Sequence, residues 1–276
     1  MIRLDRFSAW LFALLCVITP GFAEGGSVAP GPAHAQRMPT ITILYDNNPH
    51  RAGMESAWGF SCLVQGMEKN VLFDTGGDGR LLLSNMKKLG LAPQEIDAAV
   101  ISHIHGDHAA GLKTLLKRNK RLVAYLPASF PECFLREVKT EGVRVVPVRE
   151  GVQICADAFS TGELGTTPRE QALVLRTARG LVIVTGCAHP GIEKIVRTAR
   201  EQFKGEVLLV LGGFHLGKSG DAEVARVIAG LQKLGVRHVA PCHCTGEAAR
   251  KLFQQAFGTN FIHAGVGTVI STEGLR

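Results

Sequence analysis

From residue 40 onward, short apolar runs alternate with segments whose apolar residues recur every three or four positions. The runs at 40–45, 60–65, 71–73, 98–101 and 122–125, and again at 143–148, 173–176, 181–185, 207–211 and 236–240, are of strand length and rich in β-branched residues. Between the later runs the period changes. Ile192, Ile195, Val196, Ala199 and Phe203 fall on one helical face, and Val224, Val227, Ile228, Leu231 and Leu234 fall on another. A third helix is expected over 247–257, behind a cap at Thr245 and Gly246. Gly76-Gly77, Pro127, Pro190 and Gly212-Gly213 mark loops at strand ends, and no internal repeat is visible. This alternation fits an α/β or α+β domain; by itself it does not separate a two-sheet sandwich from a doubly wound sheet.

Residues 1–35 break the pattern. Arg3 and Arg6 precede an apolar stretch at 9–18, too short to span a bilayer but of the length of a signal-peptide core. Small residues offer cleavage after Ala23 or after Ala35, with a Gly/Pro/Ala-rich linker between them. The expectation is an exported protein, periplasmic or secreted, with residues 36–276 as a single domain and no stable membrane span once the signal is gone. Cys16 follows Leu15 where a lipoprotein signal wants a small residue, which argues against a lipid anchor.

Charge narrows the partners. The formal net charge is +7, and the basic residues are scattered, for instance along a helix expected over 113–121, with no aromatic-interleaved stripe of the kind that grips nucleic acid. The expected partner is a small-molecule substrate, anionic by preference, and not a nucleic acid. Six cysteines would follow the signal, in spacings that match no disulfide scaffold. Cys62, Cys133 and Cys155 read as buried inert thiols, whereas Cys187, Cys242 and Cys244 each lie within two residues of a histidine.

The chemistry concentrates at strand ends. Residues 98–101 run into Ser102-His103-Ile104-His105-Gly106-Asp107-His108, three imidazoles and a carboxylate within six positions. Imidazole suits zinc, and the carboxylate widens the choice to iron or manganese, so the cluster can hold one or two ions. If the loop stays extended, His103 and His105 point the same way, and Asp107 with His108 can turn toward a neighbouring ion. Other strands run into Asp74, into Gly186-Cys187-Ala188-His189, into His215, and into Cys242-His243-Cys244. Loops at one edge of a rigid sheet can bring such groups to one site. Residues near Asp46, Asn47, Glu55 and Trp58 are candidates for the pocket wall, and His50, His238 and His263 carry no motif.

Six motifs stand in order: Leu72-Phe73-Asp74-Thr75-Gly76, the His103 to His108 cluster with Ala109-Ala110-Gly111-Leu112, Thr161-Gly162-Glu163, Gly186-Cys187-Ala188-His189-Pro190-Gly191-Ile192, Gly212-Gly213-Phe214-His215-Leu216, and Pro241-Cys242-His243-Cys244-Thr245-Gly246. With them the chain resembles the metallo-β-lactamase superfamily. More narrowly, it resembles a branch of metal-dependent hydrolases whose archaeal relatives carry the name 7,8-dihydropterin-6-methyl-4-(β-D-ribofuranosyl)aminobenzene 5'-phosphate synthase. The resemblance implies an α+β fold, the αββα sandwich of two mixed sheets flanked by helices, and makes residues 36–276 the catalytic domain. It also implies a first metal on His103, His105 and His189 and a second on Asp107, His108 and His243. Asp74 and Glu163 would stand behind the ligands, and Asp107 and His215 would handle protons. The chain departs from the superfamily where most members end a strand in Gly-Asp and bridge two metals with that carboxylate. Here Gly186-Cys187 stands instead, so Cys187 is either a soft thiolate ligand or a small residue beside the site.

The implied activity is hydrolysis by a metal-bound hydroxide, on an ester-like or phosphoester-like bond, with one or two zinc ions or with iron or manganese. Three other readings use the same residues: ribosyl or phosphoribosyl transfer, iron or thiol redox chemistry with Cys187 beside Cys242 or Cys244, and non-enzymatic metal binding.

Overall fold

The computed structural model describes residues 38–275; the expected export signal, its linker and both cleavage points lie outside the described residues. Six strands come first: β1 (Thr40–Tyr45), β2 (Ser61–Gln65), β3 (Val71–Phe73), β4 (Ala98–Val100), β5 (Val123–Pro127) and β6 (Arg144–Val148). Then follow β7 (Glu150–Cys155), β8 (Ala158–Gly162), β9 (Leu173–Thr177), β10 (Gly180–Thr185), β11 (Val207–Gly213) and β12 (His238–Cys242), with β13 (Val269–Ser271) near the end. One sheet has the order β13-β1-β2-β3-β4-β5-β6 and the other β12-β11-β10-β9-β8-β7. Both are mixed: β3 to β6 and β10 to β12 pair in parallel, and the remaining neighbours are antiparallel.

Strand alternation explains the layering, because successive side chains leave opposite faces of a sheet. Phe73, Val100 and Ile43 from the first sheet meet Leu175, Val182, Val184 and Leu211 from the second in a central core. Their neighbours face outward. Leu72 and Ala99 pack under α1 (Gly79–Lys88), the single turn α2 (Gly106–Ala109), α3 (Leu112–Leu116) and α4 (Glu132–Thr140), through Leu82, Met86, Ala109, Leu112, Leu116 and Val138. Val174, Ile183 and Val210 pack under α5 (Ile192–Phe203), α6 (Asp221–Lys233) and α7 (Glu247–Phe257), through Ile195, Val196, Val227, Leu231 and Phe253. The result is the helix-sheet-sheet-helix sandwich, and each fully buried Leu, Ile or Phe adds about 1.5 to 3 kcal/mol to it.

Several elements differ from the sequence reading. β7, β8 and β13 were not expected: β7 carries Glu150 and Gln153, β8 ends in Ser160-Thr161-Gly162, and β13 exposes Val269. β7 and β13 are edge strands that bury too little for an apolar run to mark them, and β8, though largely buried, ends in Ser-Thr-Gly and so carries no apolar run. The helix expected over 113–121 is only the Leu112–Leu116 turn and a half. Cys62 and Cys155 are buried as expected, but Cys133 is exposed, because α4 buries only Val138 and leaves its first turn to solvent. Among the described residues no helix is long and apolar enough to cross a membrane.

Candidate metal centre

The site is built where strands of both sheets end. β3 delivers Asp74; β4 delivers Ser102, His103 and His105, after which α2 turns the chain so that Asp107 and His108 face back. β10 delivers Cys187 and His189, β11 His215, and β12 His243 and Cys244. Since β3 and β4 run parallel, as do β10, β11 and β12, each set of loops emerges at one edge of its own sheet.

There the donors fall into two groups. His103, His105 and His189 form one; Asp107, His108, His243 and the Cys187 thiol form the other, and within each group the donor atoms lie within 4.8 Å of one another. His103 Nε2 is 3.1 Å from His105 Nδ1. In the second group His108 Nε2 is 3.1 Å from His243 Nε2 and 3.2 Å from Cys187 Sγ, and Asp107 Oδ2 is 3.4 Å from His243 Nε2 and 3.6 Å from His108 Nε2. Such spacings suit neighbouring corners around an ion with bonds of about 2 Å, and these donor types suit a borderline divalent metal. The groups adjoin, with the His103 and His108 ring centres 4.3 Å apart.

What aims the nitrogens is the set of oxygens behind them. His108 Nδ1 lies 2.7 Å from Asp74 Oδ2, His189 Nδ1 2.9 Å from Glu170 Oε2, His243 Nδ1 2.9 Å from Asn47 Oδ1, and His103 Nδ1 2.9 Å from Ser102 Oγ. Each contact assigns the proton to Nδ1 and turns an Nε2 lone pair to the centre. Ser102 in turn donates from N–H and Oγ–H to Asp74, at 2.6 and 2.7 Å. The Asp46 carboxylate fixes the His243 backbone by accepting its N–H at 3.0 Å.

Glu170 is the most heavily used acceptor at this site. Oε1 accepts from Thr185 Oγ1 and from the N–H groups of Gly186, Cys187 and Ala188, and Oε2 accepts from the His189 N–H and ring. It therefore moulds the whole turn that presents Cys187 and His189. Burial alone would raise its pKa, but the His189 bond and the backbone donors outweigh burial and hold it low. Burial pushes His103 and His108 down to about 3, reinforced by neighbouring imidazoles, which keeps them neutral and able to bind a metal. Burial raises Asp74 to about 7 against the pull of His103 and Ser102. Asp107 is held low, its burial outweighed by contact with the His243 ring and by the electrostatic pull of the neighbouring imidazoles; the same contact with Asp107 raises His243 despite burial.

Beside the second group, Cys187, His215 and Cys244 lie within 4.8 Å of one another. Cys244 is drawn down to about 5 by bonds from Cys187 and His215, while the Cys187 thiol is raised by that same bond and by burial, so the proton stays on Cys187. Cys187 belongs to the second group and not the first, and no side chain among the described residues is shared by both. Gly186 has no room for a side chain, since a Cβ there would collide with Ser102 Oγ. Backbone strain gathers here as well: Asp74, Ala188, His215 and His243 all have φ between 46° and 57°, a region non-glycine residues seldom occupy.

The six residues read as ligands thus come together, with Cys187 among them. Asp74 stands behind His108, and the ring of exposed His215 lies tilted against His189, centroids 4.6 Å apart. Glu163 does not stand behind a ligand. Its carboxylate accepts the Ser129 N–H and pairs with Arg169, because Gly162 turns the chain outward at the end of β8. The carboxylate behind His189 is Glu170, which the sequence reading missed; its signal was a Glu-Gln pair directly before the apolar run at 172–175. Asn47 and Asp46 serve His243, and Trp58 lies 4.8 Å from the His243 ring. Glu55 pairs instead with Lys88 and Ser84.

Known proteins agree with this geometry. Residues 59–243 match the metallo-beta-lactamase superfamily. The chain is 29% identical to 7,8-dihydropterin-6-methyl-4-(beta-D-ribofuranosyl)-aminobenzene-5'-phosphate synthase of Methanocaldococcus jannaschii, over 81% of this chain and 94% of that one. Among solved structures it is similar to Tm1679, a metal-dependent hydrolase of the beta-lactamase superfamily, at 32% identity and a TM-score of 0.73, covering 84% of this chain and 98% of that one. YhfI of Bacillus subtilis, 16% identical with a TM-score of 0.66 over 86% of this chain and all of its own, shares the fold.

Proposed function

Because the chain belongs to the metallo-beta-lactamase superfamily, we propose that it is a metal-dependent hydrolase acting on an ester or phosphoester bond of a small anionic molecule. The observation that carries this reading is the pair of adjoining donor groups whose imidazoles are already aimed by buried oxygens. His103, His105 and His189 would hold one ion; Asp107, His108, His243 and Cys187 would hold the other, and the thiol favours zinc over manganese there. A bound divalent ion supplies Lewis acidity, polarising the scissile carbonyl or phosphoryl oxygen and acidifying water.

The rest of the chemistry falls to the chain. Asp74, Glu170 and Asn47 fix the imidazoles, so little reorganisation remains for the reacting state. Asp107 is held ionised and keeps 22% of its side chain exposed, so it orients water at the centre by accepting a hydrogen bond from it. His215, exposed beside the centre, donates a proton to the leaving oxygen. Trp58 walls the His243 side and shields it from bulk water.

The test is a panel of small esters and phosphoesters, run on protein as purified, after chelation, and after metal is restored. The reading expects turnover that disappears and returns with the metal, and a kcat roughly 10²- to 10⁴-fold lower in Asp107→Asn and His215→Asn. Fully metallated protein inert toward the whole panel would reject it. The name of the archaeal relative favours a second reading, a synthase reaction at the same centre; it expects product only when an acceptor other than water is added.

A further inference from the structure

We propose that Cys187 and Cys244 form a reversible disulfide at the metal centre, and that closing it takes the sulfur donor away from the second group. Their strands are not neighbours, since β11 lies between β10 and β12. The sulfurs nevertheless share one cluster with His215, all within 4.8 Å, and Cys244 Sγ sits 3.7 Å from the Cys187 carbonyl. Gly213, at the end of the intervening strand, makes this approach possible. A Cβ there would lie 2.6 Å from Cys244 Sγ and 2.5 Å from the Gly186 carbonyl oxygen, so any side chain would fill the space over which the two loops meet.

The two thiols differ in access: Cys244 is half-buried and Cys187 buried. Cys244 is therefore the sulfur that an external oxidant reaches, and Cys187 the one that resolves. With a low-molecular-weight disulfide as oxidant, the Cys244 thiolate attacks one sulfur and expels the first thiolate, leaving a mixed disulfide. Cys187 then loses its proton and attacks Cys244 Sγ, expelling the second thiolate, which takes up that proton. Two protein thiols are oxidised and one external disulfide is reduced to two thiols. Cys187 Sγ also stands 3.2 Å from His108 Nε2 as a donor of the second group, and sulfur bound in a disulfide is no longer a thiolate ligand.

The test treats the protein with oxidised glutathione, blocks remaining thiols with an alkylating reagent, and maps peptides by mass spectrometry while metal is counted by elemental analysis. The expected result is a Cys187–Cys244 crosslink, both of those thiols protected from alkylation, one ion fewer per chain, and return of thiols and metal on reduction with dithiothreitol. Cys187→Ser should stop at glutathione attached to Cys244, and Cys133→Ser should change neither crosslink nor metal. Recovery of both Cys187 and Cys244 as alkylated thiols, while exposed Cys133 carries glutathione, would overturn the proposal. So would a crosslink that leaves the metal count unchanged.

Discussion

The Nδ1 of His189 lies 2.9 Å from Glu170 Oε2, and the same carboxylate binds the backbone N–H of every residue from Gly186 to His189. One buried side chain thus sets both the tautomer of a ligand and the shape of the loop that carries it. In this protein a ligand imidazole and a strained turn share a single anionic anchor.

Glu170→Ala would leave those N–H groups buried without an acceptor. We expect it to cost about 3 to 5 kcal/mol of stability, the scale for breaking a buried charged network. Glu170→Gln keeps the volume and loses the charge, so the chief effect is on the His103–His105–His189 group, with metal affinity falling about 10- to 100-fold. Denaturant unfolding checks the first expectation and metal titration the second.

Asp74→Asn acts on the other group. His108 bonds Asp74 directly, whereas His103 reaches it only through Ser102, so weakening that acceptor should lower affinity for the second ion by about 10- to 100-fold and affect the three-histidine group less. Stepwise metal titration of the variant should show the larger loss at the second site. Glu163→Gln, whose carboxylate faces Ser129 and Arg169, should leave both unchanged.

The contrast between Glu163 and Glu170 shows what was legible in the sequence. Ligands announced themselves because histidine and cysteine at strand ends form dense, unusual patterns, and the resemblance supplied their grouping. Glu170 lies 19 residues from His189 with strands β9 and β10 between them, and no periodicity reports which distant loops a lone buried carboxylate will serve. A different limit hid β7, whose half-exposed face mixes charged and polar residues with apolar ones, and β8, whose buried positions are filled largely by small and hydroxyl residues. The αββα arrangement lay beyond the alternation alone: a strand apolar on both faces looks alike whether its second face meets helices or another sheet.

Gly213→Ala should destabilise the protein by about 1 to 3 kcal/mol, because its Cβ meets a backbone carbonyl and a sulfur that cannot both withdraw. A lower denaturant midpoint with an unchanged m-value is the expected reading.

Trp58 is 60% exposed yet rests against the His243 ring. Trp58→Ala should therefore leave stability within about 0.5 kcal/mol of the parent. Its effect should fall on substrate affinity, raising KM more than it lowers kcat in steady-state kinetics.

The central claim is that separate strand ends assemble two ion sites, and anomalous X-ray diffraction from crystals of zinc-loaded protein at the zinc edge tests it most directly. The account predicts two peaks, one bonded at about 2 Å to His103 and His189 and the other to His108 and His243. Peaks that leave either pair unligated, or no peak within this cluster, would contradict it.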